Sequence, residues 1–229
     1  MASLTIENYV KSIYKICSYL EGKAAATGQL ANELEVSPGT VTSMLKTLSA
    51  SDLATYTPYE GVRLTEAGTR LALRVLRRHR LIETFLVKTL NLTWDEVHEE
   101  AEHMEHAVSD LLVDRIDEYL SCPETDPHGD PIPRSDGSVP AGQHPSPLRS
   151  LANCEAGVSF RFVRVLDQSP EFLRYLSDAG LCPGVEGDVV EQRRDQGRIK
   201  IRVGQMETTL LHDAAQKLLI GPKTSIGAV

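Results

Sequence analysis

The hydrophobic pattern changes period once along the chain, and that change limits the folds it can adopt. Through most of the first 120 residues, apolar side chains recur at three- and four-residue spacing, the mark of amphipathic helices. Beyond residue 159 they alternate, over residues 159–166, 187–192, 198–203 and 207–211, as half-buried strands do. Between the two regimes, Pro123, Pro127, Pro131, Pro133, Pro140, Pro145 and Pro147 are interspersed with Gly, Asp and Ser. That composition predicts a linker of polyproline character. The chain therefore reads as α+β with a helical part first and a small β-barrel last. The barrel, with a short helix over 170–178, has about 65–70 residues, a size at which independent folding is possible but marginal.

The helical part has internal order. Ile6, Tyr9, Val10, Ile13, Tyr14 and Ile16 line one face of a first helix ending near Glu21 and Gly22. Thr27 can cap a short helix carrying Leu30, Ala31 and Leu34, and a turn at Glu35 and Val36 follows. Ser37 then offers an N-cap and Pro38 the first helical position. This third helix sends Val41, Leu45 and Leu48 inward and leaves Gly39, Thr40, Ser43, Lys46 and Thr47 outward. Residues 54–64 hold short apolar runs on either side of a Pro and Gly turn, a hairpin signal. Helix, turn, helix, hairpin is the order of a winged helix-turn-helix, whose second motif helix enters the DNA major groove. Ser37, Pro38, Gly39, Thr40, Ser43 and Lys46 are the candidate groove contacts, with Arg63 on the hairpin as the wing contact. Apart from Lys46 none is suited to bidentate base recognition, so phosphate contacts, thymine methyls and DNA shape should dominate.

Charge agrees with this division. Residues 1–80 carry 10 Lys and Arg against 7 Asp and Glu, residues 81–150 carry 4 against 15, and residues 151–229 carry 10 against 10. The basic excess coincides with the DNA-binding motif. The acidic excess coincides with residues 98–106, where His98, Glu99, Glu100, Glu102, His103, Glu105 and His106 crowd together. A capping-box pattern at Thr93–Glu96 starts a helix there. At about 100° per residue, His98, Glu102, Glu105 and His106 share one face. A solvated acidic helix would look similar, but a divalent cation would offset part of the repulsion. His79 and Glu83, one turn apart on a long helix from Thr65 to Leu90, form a second pair. Leu111, Leu112, Ile116 and Tyr119 mark one more helix, with apolar surface suited to a dimer interface. Cys17, Cys122, Cys154 and Cys182 show no CxxC pair or disulfide spacing, as expected of a reducing cytoplasm. No apolar run approaches the roughly 20 residues that span a bilayer, and the first residues lack a secretory signal pattern.

Together these features resemble the diphtheria toxin repressor and manganese transport regulator family of metal-dependent transcriptional repressors. The resemblance covers nearly the whole chain. It rests on the winged motif, Arg78-His79-Arg80-Leu81-x-Glu83, Val97-His98-x-Glu100-Ala101, Glu105-His106-x-x-Ser109-Asp110 and the run from His128 to Pro133. It implies a winged helix-turn-helix domain over 1–64, an all-helical dimerisation and metal-binding domain over 65–121, a Pro-rich linker over 122–150 and an SH3-like domain over 151–229. It also implies a primary site from Glu102, Glu105, His106 and Asn8 of the first helix. A second site would use His79, Glu83 and His98, completed from the C-terminal domain by Gln168 and Glu171, with Asp167 beside them. His103 would be solvated or structural.

Two departures bear on the metal. Glu102 stands where iron-type members carry Cys, and a carboxylate is the harder ligand, favouring Mn(II) over Fe(II). Asn8 stands where members carry Met or Asp, and Lys11 replaces a further acid of the manganese-type members. The implied function is a homodimeric repressor of metal-homeostasis genes, activated for operator binding by Mn(II), with Fe(II) second. In it, metal ties the first helix to Glu102, Glu105 and His106. Two rivals are a winged-helix regulator answering to an organic ligand or protein, and a metal-dependent hydrolase, for which the chain offers no nucleophile motif.

Overall fold

A computed structural model of the chain describes residues 3–20, 22–140 and 147–223. Pro145, and with it residues 141–146 of the expected linker, lies outside them. The described chain forms two compact units. The first comprises residues 1–79, 103–114 and 133–139, the second residues 80–102, 115–132 and 140–229.

In the first unit, α1 (Leu4–Tyr19) opens on Ser3, whose hydroxyl accepts the Ile6 N–H. It buries Tyr9, Val10 and Ile13. Next, α2 (Thr27–Glu33) buries Leu30 and Ala31, and Glu35 turns the chain with φ of 52°. The third helix, α3 (Pro38–Ala50), starts as expected: the Ser37 hydroxyl accepts the Thr40 N–H at 3.1 Å and Pro38 takes the first turn. Val41, Leu45 and Leu48 are inward. Strands β1 (Ala54–Thr57) and β2 (Gly61–Leu64) pair antiparallel as the wing, and a bridge between Ala25 and Val62 fastens the wing to the helical core. These residues share one hydrophobic cluster with Ala72. Helix α4 (Glu66–Leu90) begins where the Thr65 hydroxyl accepts the Gly68 N–H at 3.1 Å. A Cβ at Gly68 would lie 1.9 Å from the Leu53 carbonyl oxygen, which explains glycine there.

The boundary between units falls within α4 and again within α5 (Val97–Met104). Helix α5 is shorter than expected: Thr93–Glu96 form a turn in which the Glu96 carboxylate accepts the Thr93 N–H at 2.9 Å. Glu105 and His106 lie in a turn past the helix end, so they are not on one helical face with His98. Helix α6 (Asp110–Tyr119) exposes Leu111 and Leu112.

In the second unit a six-stranded sheet has the order β3-β8-β4-β5-β6-β7. Its strands are β3 (Arg149–Ser150), β4 (Ser159–Val165), β5 (Glu186–Arg193), β6 (Arg198–Val203), β7 (Met206–Leu211) and β8 (Leu218–Gly221). Neighbouring strands pair antiparallel. Among the described residues β3 and β7 are not paired, so the sheet is an open form of the expected SH3-like barrel. Helices α7 (Pro170–Asp178) and α8 (His212–Gln216) complete the unit. Phe160, Phe162, Leu173, Leu176 and Ile201 are among its fully buried core. Residues 125–132 are not the extended linker that their prolines suggest. They form a tight turn with a bridge between Thr125 and Pro131, burying Asp126, His128, Asp130 and Ile132.

Candidate metal centres and DNA-contacting face

Within the first unit, ionisable side chains from α1, α4 and the turn after α5 meet out of solvent. Glu105 is fully buried. Its Oε1 takes the Lys11 ammonium at 2.5 Å and its Oε2 takes His79 Nδ1 at 2.6 Å. His106 Nδ1 lies 2.7 Å from Glu7 Oε2, while its Nε2 stands 3.2 Å from Glu105 Oε1. On the segments that meet here, two buried atoms have no hydrogen-bond partner, Asn8 Oδ1 on α1 and His106 Nε2 in the turn. Burying an unsatisfied polar atom costs on the order of 1–3 kcal/mol, so such atoms mark a missing partner. An imidazole nitrogen beside a buried carboxylate, with an amide carbonyl on the helix that carries Glu7 and Lys11, offers donors of the kind that fit a divalent cation. Arg78 flanks this group, 4.0 Å from Glu7 and 2.8 Å from Asp110. Burial works to raise the Asp110 carboxyl, but the Arg78 and Arg74 guanidiniums outweigh it and hold the group below its usual range.

A second cluster lies in the other unit. Glu83, buried on α4, has Oε1 3.2 Å from His98 Nδ1 and Oε2 3.5 Å from His128 Nδ1. Glu83, Asp126 and His128 are close enough to share one ion. Asp126 Oδ1 accepts the N–H groups of His128 and Asp130, shaping the turn. Burial, followed by the nearby Asp130 and Glu83 charges, pushes the Asp126 carboxyl up to about 7. Burial alone would lower the His128 imidazole, but hydrogen bonding and charge from Glu83 raise it to about 9. His128 Nε2 lies 2.8 Å from the Trp94 carbonyl oxygen, and a nitrogen in that place donates. That leaves Nδ1, buried and 3.5 Å from Glu83 Oε2, as the nitrogen available to a ligand. A histidine that donates one N–H to a carbonyl and turns the other nitrogen inward is oriented as metal ligands are.

The sequence-derived ligands divide accordingly. Glu105, His106 and His79 come together in the first unit, and Asn8 follows Glu7, which reaches His106, on α1. Glu83 and His98 come together in the second, with Glu102 Oε1 3.7 Å from His98 Nε2. Gln168 and Glu171 do not join Glu83 and His98: the Gln168 amide donates to Asp130 at 2.8 Å. Glu171 is 82% exposed on α7, within 3.8 Å of Arg174, where solvation is cheaper than burial of its charge. Asp167 is likewise engaged, by Lys217 at 2.7 Å. Asp126 and His128 were hidden by the proline-rich composition, although Asp-Pro-x-Gly at 126–129 is a turn signature and His beside Asp a ligand signal.

The DNA-contacting candidates present a single face. Ser37, Pro38, Gly39, Thr40, Ser43 and Lys46 are all exposed at the start and along the outer side of α3. Arg63 is exposed on β2 and donates to the Gly22 carbonyl, which holds it against the turn after α1.

A winged helix-turn-helix joined to buried clusters of hard ligands defines the class: a metal-responsive DNA-binding regulator, not an enzyme. Comparison with known proteins agrees and is specific. Residues 1–62 match the family described as iron dependent repressor, N-terminal DNA binding domain. Residues 65–134 match the iron dependent repressor, metal binding and dimerisation domain, and residues 149–222 the FeoA domain. The iron-dependent repressor IdeR of Mycobacterium tuberculosis is 30% identical over 228 residues, covering 94% of this chain and 96% of the relative. The diphtheria toxin repressor of Corynebacterium glutamicum is 29% identical, covering 94% and 95%. A solved manganese-dependent transcriptional repressor in complex with manganese superposes with a TM-score of 0.83 at 36% identity, covering 95% of this chain and 99% of that one. The manganese regulator SloR does so with 0.76 at 32% identity, covering 95% and 98%. The chain belongs to the diphtheria toxin repressor and manganese transport regulator family of metal-dependent transcriptional repressors. Its partners are operator DNA and a second copy of itself, and no helix among the described residues is long and apolar enough to cross a membrane.

Proposed function

We propose that this repressor is activated by Mn(II), with Fe(II) as the second-ranked ion, acts in the cytoplasm and controls genes of metal uptake or efflux. The carrying observation is His106 Nε2, buried without a hydrogen-bond partner and 3.2 Å from Glu105 Oε1, with Asn8 Oδ1 on α1 likewise unsatisfied. In this reading Asn8, Glu105 and His106 form the first site, and Glu102 stands with His98. Glu83, His98, Asp126 and His128 form the second, while His79 supports Glu105. No cysteine is among the clustered potential ligands of the described residues, and carboxylates with imidazoles suit Mn(II) better than thiolate-preferring ions.

A bound ion would supply positive charge between α1 and the turn after α5. The protein's own part is to present donors from both segments, so that ordering them fixes the DNA-binding motif against the dimerisation helices. A two-fold dimer reads a palindromic operator only when its recognition helices are correctly spaced. The domain boundaries at 64, 121 and 150 accompany this proposal, with residues 125–132 counted as part of the second site instead of the linker.

The test is operator binding titrated with Mn(II), anaerobic Fe(II), Zn(II) and a chelator. Activation at the lowest free concentration by Mn(II) supports the reading. Equal DNA affinity in saturating Mn(II) and in chelator would end it.

A further inference from the structure

The first cluster already holds a cation of its own. The Lys11 side chain is 7% exposed, and its ammonium sits 2.5 Å from Glu105 Oε1. That oxygen is also the one 3.2 Å from His106 Nε2. The other Glu105 oxygen faces His79 at 2.6 Å. A divalent ion joining Glu105 to His106 and Asn8 would therefore meet an ammonium on the same carboxylate. At a few ångströms and low dielectric, such like charges repel strongly. Meanwhile Lys11–Glu105 and Glu7–His106 link α1 to the turn after α5 without any ion.

We propose that Lys11 is an intrinsic counter-cation of the Glu105 and His106 site: its ammonium competes with a divalent ion for Glu105 and so sets the ion concentration at which the site loads. The proposal rests on the reading of Glu105 and His106 as metal ligands. Its consequence is a site tuned to respond only when Mn(II) is abundant, with the ion pair giving α1 a metal-free anchor. A purely structural ion pair makes the opposite prediction, because deleting the lysine would then loosen the site and weaken ion binding.

The experiment measures Mn(II) binding to the full chain by electron paramagnetic resonance, in wild type, Lys11→Met, Lys11→Gln, Lys11→Arg and Glu105→Gln, with melting curves with and without Mn(II). Glu105→Gln identifies the first-site ion as the class it removes. In Lys11→Met and Lys11→Gln that class is expected to tighten by about tenfold or more, as removal of a close like charge implies. The ion-free protein should melt lower, and Mn(II) should restore its melting temperature. Lys11→Arg keeps the charge and should keep the weak class. Unchanged or weaker first-site binding in both neutral variants would overturn the proposal. So would neutral variants that fail to fold and are not recovered by Mn(II). If Glu105→Gln removes no bound ion, the ligand reading itself is wrong, a result distinct from neutral variants that leave a Glu105-dependent class untouched.

Discussion

His128 is the residue through which the second cluster can be observed. Its Nε2 faces the carbonyl oxygen of Trp94, the only tryptophan of the chain. The indole ring also stacks on the imidazole, with centroids 6.0 Å apart. An ion drawn to His128 Nδ1 must polarise this ring pair, so Mn(II) should change the tryptophan fluorescence, and His128→Gln should abolish that response while leaving first-site binding in place. Proton linkage gives a second expectation. A His128 raised to about 9 carries its proton at neutral pH, and Asp126, near 7, carries part of another. Ligands must shed protons to bind metal, so second-site affinity should rise with pH towards about 9. Calorimetry in buffers of different ionisation enthalpy should show proton release. Stability of the ion-free protein runs the other way. The raised His128 stabilises the fold below its unfolded value near 6.5, and that contribution fades as pH climbs through about 9. Asp126, also raised, opposes the fold as it ionises around 7. The melting temperature should therefore fall from pH 6.5 to 9, with a smaller slope in His128→Gln.

At the scale of elements, the turn at residues 126–132 is held by backbone geometry as much as by side chains. Gly129 has φ of +85°, and a Cβ there would lie 1.9 Å from the Val163 carbonyl oxygen on β4. Gly129→Ala combines a left-handed backbone penalty with a clash, and should cost more than about 2 kcal/mol by denaturant unfolding. It should also weaken the second-site ion, because Asp126 and His128 are displaced together. This turn shows where the sequence was hard to read. The starts of α3 and α4 follow from the local signals Ser37 and Thr65, and these were legible. Strand β8 carries a short apolar run without alternation, buried between β3 and β4, and no local rule separates it from a helix segment. The end of α5 was misjudged because Glu105 and His106 leave the helix for partners on α1 and α4, contacts distant in sequence. Composition placed Asp126 and His128 in a linker, since prolines that shape a tight buried turn count the same as prolines that extend a chain. Glu171 was over-read for the converse reason: a carboxylate near other ligands in a motif can still point to water.

For the molecule as a whole, the charge distribution and the dimer decide how DNA is held. The 10 basic residues of the first 80 lie in a chain of net charge -8, so attraction to phosphate is local to the DNA-contacting face and binding should be strongly salt-dependent. If α3 is the groove helix, as proposed, its face of Ser, Thr, Pro and Gly would read few bases directly, and two-fold symmetry would be the main source of selectivity. Helix α6 keeps Val113 buried and presents Leu111 and Leu112 at 69% and 48% exposure. In a family with a dimerisation domain over this segment, those leucines are suited to the subunit interface. Replacing both with Glu would put like charges face to face across a two-fold axis and remove two apolar side chains, each worth about 1.5–3 kcal/mol when fully buried. The expected outcome is a folded monomer by sedimentation that still binds Mn(II), because Asn8, Glu105, His106, Glu83 and His128 all belong to one chain. Operator affinity should collapse to the weak level of a single half-site. The slope of log affinity against log salt should fall by about half, since each phosphate contributes about 0.9 to it. A dimer that survives the substitution, or a monomer that keeps full operator affinity, would place the interface elsewhere or make symmetry dispensable for recognition.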